Sequence, residues 1–288
     1  MNLSRRDALK LMTDCALVLS ATPAGFLPNR DDPPAMKPAL FRHSICRWCY
    51  SGIPIEKLAV DVKALGVQSI ELLDPVDWPV VQRAGLTCAV ANGTTSIGEG
   101  FNRTENHPRF VASMRERIAE CSAAGLPNVI CFSGNRRGLG DEEGLENCAQ
   151  GVQQIMRTAE HRGVTVLMEL LNSKVDHPDY QCDHTAWGVE LVRRVGSERF
   201  KLLYDIYHMQ IMEGDIMATI RRFHSSIGHF HTAGCPGRHE IDETQELNYS
   251  AIMREIAATG FAGYVAQEFL PVRDPMRSLA DAIRICSV

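Results

Sequence analysis

The chain has 288 residues, 45% of them hydrophobic and 23% charged, with a net charge of −5. That is ordinary globular composition, with enough apolar content for one large core. The acidic balance and the lack of a basic stripe argue against a nucleic-acid binder. Arg136-Arg137 and Arg193-Arg194 are isolated pairs that read as solvated faces.

Residues 1–38 read as a segment apart from the fold. Ser4-Arg5-Arg6-Asp7-Ala8-Leu9-Lys10 is similar to the twin-arginine export motif, and an apolar stretch from Leu11 to Phe26 follows it. Thr22-Pro23-Ala24 offers a cleavage region. The expected localisation is periplasmic, by the twin-arginine route. The competing expectation is a cytoplasmic protein with a disordered or amphipathic extension. The stretch is interrupted by Asp14, and is too short and too polar to span a membrane. Residues 29–38 are rich in Pro and Asp and read as a linker.

From Phe41 apolar runs alternate with amphipathic ones. The pattern predicts strands over Phe41–Trp48, Ser69–Asp74, Thr87–Gly93, Asn128–Ser133, Thr165–Leu171, Phe200–Ile206, Ile227–Thr232 and Tyr264–Phe269. It predicts helices over Ile55–Leu65, Val76–Ala84, Arg109–Ala124, Glu142–His161, Asp183–Val195, Asp215–Phe223, Tyr249–Ala258 and Met276–Ile285. Gly66, Gly85 and Gly163 close three of the helices. Eight strand–helix pairs in roughly 250 residues is the size of an α/β, single (β/α)8 TIM barrel, expected over residues 39–288. The competing architecture is an open doubly wound sheet, but no Gly-rich dinucleotide fingerprint follows the first strand.

The last four strands share one design. Each is an apolar run that ends on a ligand-type side chain: Glu169, Asp205, His231 and Glu268. A carboxylate at the exit of a buried strand is costly unless something binds it. Parallel strands all exit at one rim, where the active sites of barrels sit. The four residues therefore read as one divalent-metal site. Its hard oxygen and nitrogen donors suit Mn²⁺, Mg²⁺ or Co²⁺. Without a cation, three carboxylates so placed would repel one another and raise their own pKa values.

Other residues take places around this set. His208, three residues after Asp205, is expected at the rim and free to contact a ligand. His229 shares a strand face with His231 but lies deeper. Glu71 ends the second strand as a hydrogen-bonded support. Arg238 and His239 sit on a turn-rich loop, Cys235 to Glu240, that can fold over the pocket. Cys46-Arg47-Trp48-Cys49 has CxxC spacing without the second pair a zinc site needs, and leaves a redox pair as an open reading. Cys88 and Cys131 lie inside apolar runs and read as small buried hydrophobes.

Four stretches then carry a resemblance. They are Glu169-Leu170-Leu171-Asn172, Asp205-Ile206-Tyr207-His208-Met209-Gln210, His231-Thr232-Ala233-Gly234 with Pro236-Gly237-Arg238-His239-Glu240, and Gly263-Tyr264-Val265-Ala266-Gln267-Glu268-Phe269. Together they resemble the hydroxypyruvate isomerase group of the xylose isomerase-like TIM barrels, from about Phe41 to the C-terminus. The resemblance implies Glu169, Asp205, His231 and Glu268 as metal ligands and Glu169 with Glu268 as the acid/base pair. It implies His208, Arg238 and Asn172 as substrate contacts. His231 stands where the hydroxypyruvate isomerase pattern has Gln, and is similar to the ketose epimerases there.

The implied activity is a metal-dependent isomerase acting on a small hydroxy-carbonyl compound through an enediolate. The alternative is a ketose 3-epimerase, which needs the same bases and the same metal. A nuclease of the endonuclease IV type would need more histidines and a basic groove, and a non-catalytic sugar-binding barrel would need no metal. The partners expected are a small hydroxy-carbonyl or sugar substrate, with a homo-oligomer allowed, and neither nucleic acid nor a stable membrane span.

Overall fold

Strands buried on both faces favour parallel pairing under a layer of helices. Seven such strands form one sheet: β1 (Arg42–Cys46), β2 (Ser69–Glu71), β3 (Asn128–Cys131), β4 (Thr165–Leu170), β5 (Phe200–Asp205), β6 (Ile227–Thr232) and β7 (Tyr264–Gln267). These elements come from a computed structural model that describes residues 41–288, so the export motif and the linker lie outside the described residues. All pairings are parallel, in the order β2-β1-β7-β6-β5-β4-β3. β1 pairs with β7, which brings the first and last strands together and leaves one gap, between β2 and β3.

Residues 87–91 fill that gap. Single parallel bridges join Ser69 to Thr87, Leu73 to Ala91, and Ala91 to Val129. Leu72 N–H donates to the Val90 carbonyl at 2.8 Å, and Ile130 N–H to the Ala91 carbonyl at 3.0 Å. The sheet so closed is a (β/α)8 barrel. The regular strand expected over Thr87–Gly93 is therefore an irregular one. Side chains replace part of its ladder: Ser69 Oγ accepts the Ala89 N–H at 2.8 Å, and Cys88 Sγ donates to the Val90 carbonyl at 3.2 Å.

The helices follow the expected periodicity to within a few residues: Ile55–Ala64, Trp78–Arg83, His107–Ala123, Asp141–Arg162, Thr185–Val195, Ile216–Phe223, Tyr249–Ala258 and Pro275–Cys286. One further helix, Ile206–Met212, was not expected. Asp205 starts it, because its carboxylate accepts the backbone N–H groups of Tyr207 and His208. Among the described residues no helix is long and apolar enough to cross a membrane.

The core has two parts. Most apolar side chains lie between the sheet and the helices. A smaller cluster, Val90, Ile130, Leu167 and Leu203, is separate from it, with Leu72 and Phe132 packed against it. Inward-pointing side chains of this kind fill a barrel, so the closed sheet is a plug with a floor at its exit end and no pore.

Candidate active site

At that exit end the chain brings together the four residues expected to hold a metal. One donor atom each from Glu169, Asp205, His231 and Glu268 lies within 4.8 Å of the others, and all four residues are buried. β4, β5 and β6 carry the first three, and Glu268 directly follows β7. Glu268 N–H donates to the Thr232 carbonyl at 2.8 Å, which extends the β6–β7 ladder to this residue.

Each ligand-type group is oriented by a different device. Asp205 spends Oδ1 on capping the Ile206–Met212 helix, with Tyr207 N at 2.8 Å and His208 N at 3.2 Å. Its Oδ2 faces Arg238 Nη2 at 3.2 Å. His231 Nε2 meets Glu71 Oε1 at 2.8 Å, which leaves Nδ1 directed at Glu268 Oε2, 2.8 Å away, and Glu169 Oε1, 3.4 Å away. His229 Nε2 shares the same Glu71 oxygen at 2.8 Å. Glu71 is thus the hydrogen-bonded support expected of it, and His229 is the deeper histidine. Glu268 Oε1 accepts the Trp48 indole N–H at 2.8 Å.

The donor set fits a divalent cation. Its atoms are hard, they converge, and the imidazole is braced through its far nitrogen by a carboxylate, as ligating histidines commonly are. The electrostatics point the same way. Burial pushes the Asp205 carboxyl up to about 8 against the opposing pull of Arg238, and the Glu268 charge adds to the rise. Burial also raises Glu169. Burial opposes ionisation of Glu268 too, but His231 and Arg238 outweigh it and hold that carboxyl well below its usual range. Burial thus raises two of the three carboxyls, and a cation among them would offset that cost.

Arg238 supplies the one guanidinium that lines the cavity. It sits in the left-handed region, at φ +58°, on a loop tied down at both ends. Gly234 N–H donates to the His239 carbonyl at 2.9 Å, and Leu270 N–H to the Arg238 carbonyl at 2.7 Å. A Cβ on Gly234 would stand 2.3 Å from the Glu240 carbonyl oxygen, so only glycine allows this fold-back. The loop lies over the pocket as the sequence predicts.

His208 lines the cavity, where a ligand can reach it as expected, and its side chain is otherwise completely buried on the unexpected helix. Burial, with Arg238 beside it, lowers its pKa well below the ordinary histidine value, so the ring is neutral. Its Nδ1 lies 2.6 Å from Asn172 Nδ2. The orientation of that amide is set, since Asn172 Oδ1 accepts the N–H groups of Val175 at 3.0 Å and Asp176 at 2.8 Å. Arg238 Nη1, which can only donate, lies 2.8 Å from Nε2, so donors face both ring nitrogens and the neutral ring can accept at one of them. Asn172 itself is buried behind His208 and does not line the cavity.

The cavity has a volume of about 310 Å³ and opens over Glu169, Glu268, His208 and Arg238. Sequence reasoning missed Trp48, His177 and Asn92 in its lining. Trp48 and Asn92 had a signal, since each stands at the end of a predicted strand; His177 comes from a loop with no pattern of its own. Cys46 and Cys49 are free thiols, and burial raises both, which removes the thiolate that redox exchange requires. Cys46 Sγ lies 3.7 Å from His231 Nε2 and packs against the histidine. Cys88 and Cys131 are fully buried, as expected.

Comparison with known proteins identifies the family. The family described as Xylose isomerase-like TIM barrel matches residues 61–286. The 2-oxo-tetronate isomerase of Pectobacterium atrosepticum is 30% identical over 225 residues, 72% of this chain and 82% of that protein. The 2-oxo-tetronate isomerase of Cupriavidus necator is 37% identical over 127 residues, 44% of this chain, and the match spans about half of that protein's length, 46%. The hydroxypyruvate isomerase of Escherichia coli is 29% identical over 155 residues, 54% of this chain and 59% of that protein. A D-psicose 3-epimerase from Clostridium cellulolyticum, solved with D-tagatose, superposes with a TM-score of 0.69 at 18% identity, covering 84% of this chain and 90% of that one. At such identity the likeness shows the fold alone.

Proposed function

Since the chain belongs to the xylose isomerase-like TIM barrel family, we propose that it is a metal-dependent isomerase of a small hydroxy-carbonyl acid, of the hydroxypyruvate or 2-oxo-tetronate kind. The observation that carries this reading is the convergence of Glu169, Asp205, His231 and Glu268 on one cavity floor, with two of the carboxylates lining the cavity. Mn²⁺, Mg²⁺ or Co²⁺ is the fitting cation. When bound, it would polarise the substrate carbonyl and acidify the neighbouring C–H.

The chain's own groups divide the remaining work. Asp205 and His231 are pinned by backbone N–H groups and by Glu71, so they hold position and carry no proton. Glu169 and Glu268 stand on the fifth and last barrel strands and flank the cavity, one to take the substrate proton and one to return it. Trp48 aims Glu268 through Oε1. His208 and Arg238 line the cavity beside these carboxylates and orient the substrate's oxygens, with Arg238 as the donor.

The test is metal analysis of the purified protein, followed by solvent-deuterium exchange at the carbon next to the carbonyl. One equivalent of metal and exchange into a short hydroxy-oxo acid are expected; a protein that holds no metal and exchanges nothing would refute the proposal. A second reading, epimerisation of a ketose, is favoured by His231 at the third ligand position, and product stereochemistry separates the two. From Ser4-Arg5-Arg6 we further propose export by the twin-arginine route. Replacing Arg5 and Arg6 with Lys should hold the protein in the cytoplasm, and unchanged fractionation would overturn that.

A further inference from the structure

The cavity has a second wall, and it is chemically unlike the first. The exits of β2, the 87–91 segment and β3 deliver Leu72, Asn92, Ile130 and Phe132 to it, and Ile97 and Leu171 complete it. Five of these six side chains are hydrocarbon, and none is charged. Asn92 alone can hydrogen-bond a ligand from this side.

Asn92 is also held still. Its backbone N–H donates to the Leu73 carbonyl at 3.0 Å, and its carbonyl accepts from Arg117 Nη1. The next residue, Gly93, runs so close to β3 that a Cβ there would meet the Ile130 carbonyl oxygen at 1.9 Å. The chain therefore cannot drift away from β3 at this point. Among the described residues the Asn92 side-chain amide has no partner.

We propose that this wall selects the non-reacting end of the substrate: a chain of one or two carbons carrying no more than one hydroxyl, which Asn92 reads. The inference rests on the isomerase reading above and adds to it the wall and the residue that would favour such short acids over five- and six-carbon sugars. The physical reason is desolvation. A hydroxyl placed against Leu72, Ile97, Ile130, Phe132 or Leu171 leaves water and finds no partner. A longer sugar would bury several such hydroxyls, whereas a four-carbon acid buries one, opposite Asn92.

The test uses the full-length protein loaded with Mn²⁺. kcat/KM for deuterium exchange is measured on a 3,4-dihydroxy-2-oxo four-carbon acid, on its 4-deoxy analogue, and on D-fructose. The four-carbon dihydroxy acid should exceed D-fructose by about 10²-fold or more, and the deoxy analogue by about 10-fold. Asn92→Leu should lower the ratio between the two acids by about 10-fold or more, and Asn92→Ser, which keeps a hydroxyl, should fall between. Equal use of D-fructose by the wild-type protein would overturn the inference, and needs no variant to fold. An unchanged ratio between the acids in Asn92→Leu would also overturn it. Exchange into none of the three compounds would sink the isomerase reading, whereas exchange that favours D-fructose would sink this inference alone.

Discussion

The two halves of the barrel rim are built from the same kind of strand and deliver opposite chemistry. β4, β5, β6 and the end of β7 carry Glu169, Asp205, His231 and Glu268, all directed into one cluster. β2, the 87–91 segment and β3 carry Leu72, Asn92, Ile130 and Phe132 into the same cavity. The first half keeps a continuous ladder with one register shift, between Leu202 and Leu203, and its groups are braced by other parts of the chain: Glu71 for His231, Trp48 for Glu268, the helix N-terminus for Asp205. The second half is irregular and braced by backbone contact. Charged groups that must act at fixed distances need partners to hold them. An apolar wall needs only volume and shape, and tolerates a broken ladder.

The sharpest way to break this comparison is to remove a proton carrier from the charged half. Glu169→Gln or Glu268→Gln should lower the rate on the order of 10²–10⁴-fold, and solvent exchange should vanish in at least one of them. Wild-type exchange in both would move the base elsewhere, with His208 the next candidate.

One source of acid sensitivity lies outside both halves. His43, on β1 with its Nε2 against Ser287 Oγ at 3.1 Å, is lowered to about 4 by burial. The folded state then binds fewer protons than the unfolded one between pH 6.5 and 4. Its contribution to stability is full above pH 6.5 and falls as pH drops toward 4, by about 3 kcal/mol across that window. Urea melts of wild type and His43→Gln at pH 7 and pH 4 measure it. The difference between the two pH values should shrink in the variant.

Metal should stabilise the charged half alone. Mn²⁺ at a hundredfold excess over its dissociation constant should add about 2.7 kcal/mol to unfolding. Asp205→Asn or His231→Ala should abolish most of that gain, with partial recovery of activity at higher Mn²⁺. A variant that stayed fully metallated yet inactive would give that residue a direct chemical role.

Glu71→Gln tests the bracing itself. It should weaken metal binding by roughly 10–100-fold, the usual worth of a group that orients a ligand, and leave the apolar wall unaltered. The smallest effect belongs to that wall: Ile130→Val should cost about 1 kcal/mol of stability, seen in denaturant melts, and leave metal affinity as it was.

The sequence alone determined the alternation of strands and helices and the four ligand-type residues, because both are written in local pattern. Period-two and period-3.6 burial set the elements, and a carboxylate or histidine at the end of an apolar run marks a strand exit. Glu71, His229 and the Arg238 loop were legible for the same reason. What the sequence did not carry depends on residues far apart in the chain. The 87–91 strand lost its regular ladder to Ser69 and Cys88, and neither substitution of bonds has a periodic signature. His208 reaches the cavity from a helix the sequence did not announce, which Asp205 caps directly after its strand. Asn92 and Trp48 gained their places in one cavity from barrel closure. Local pattern gives each strand its end; only closure of the sheet decides which ends share a cavity and which wall each one forms.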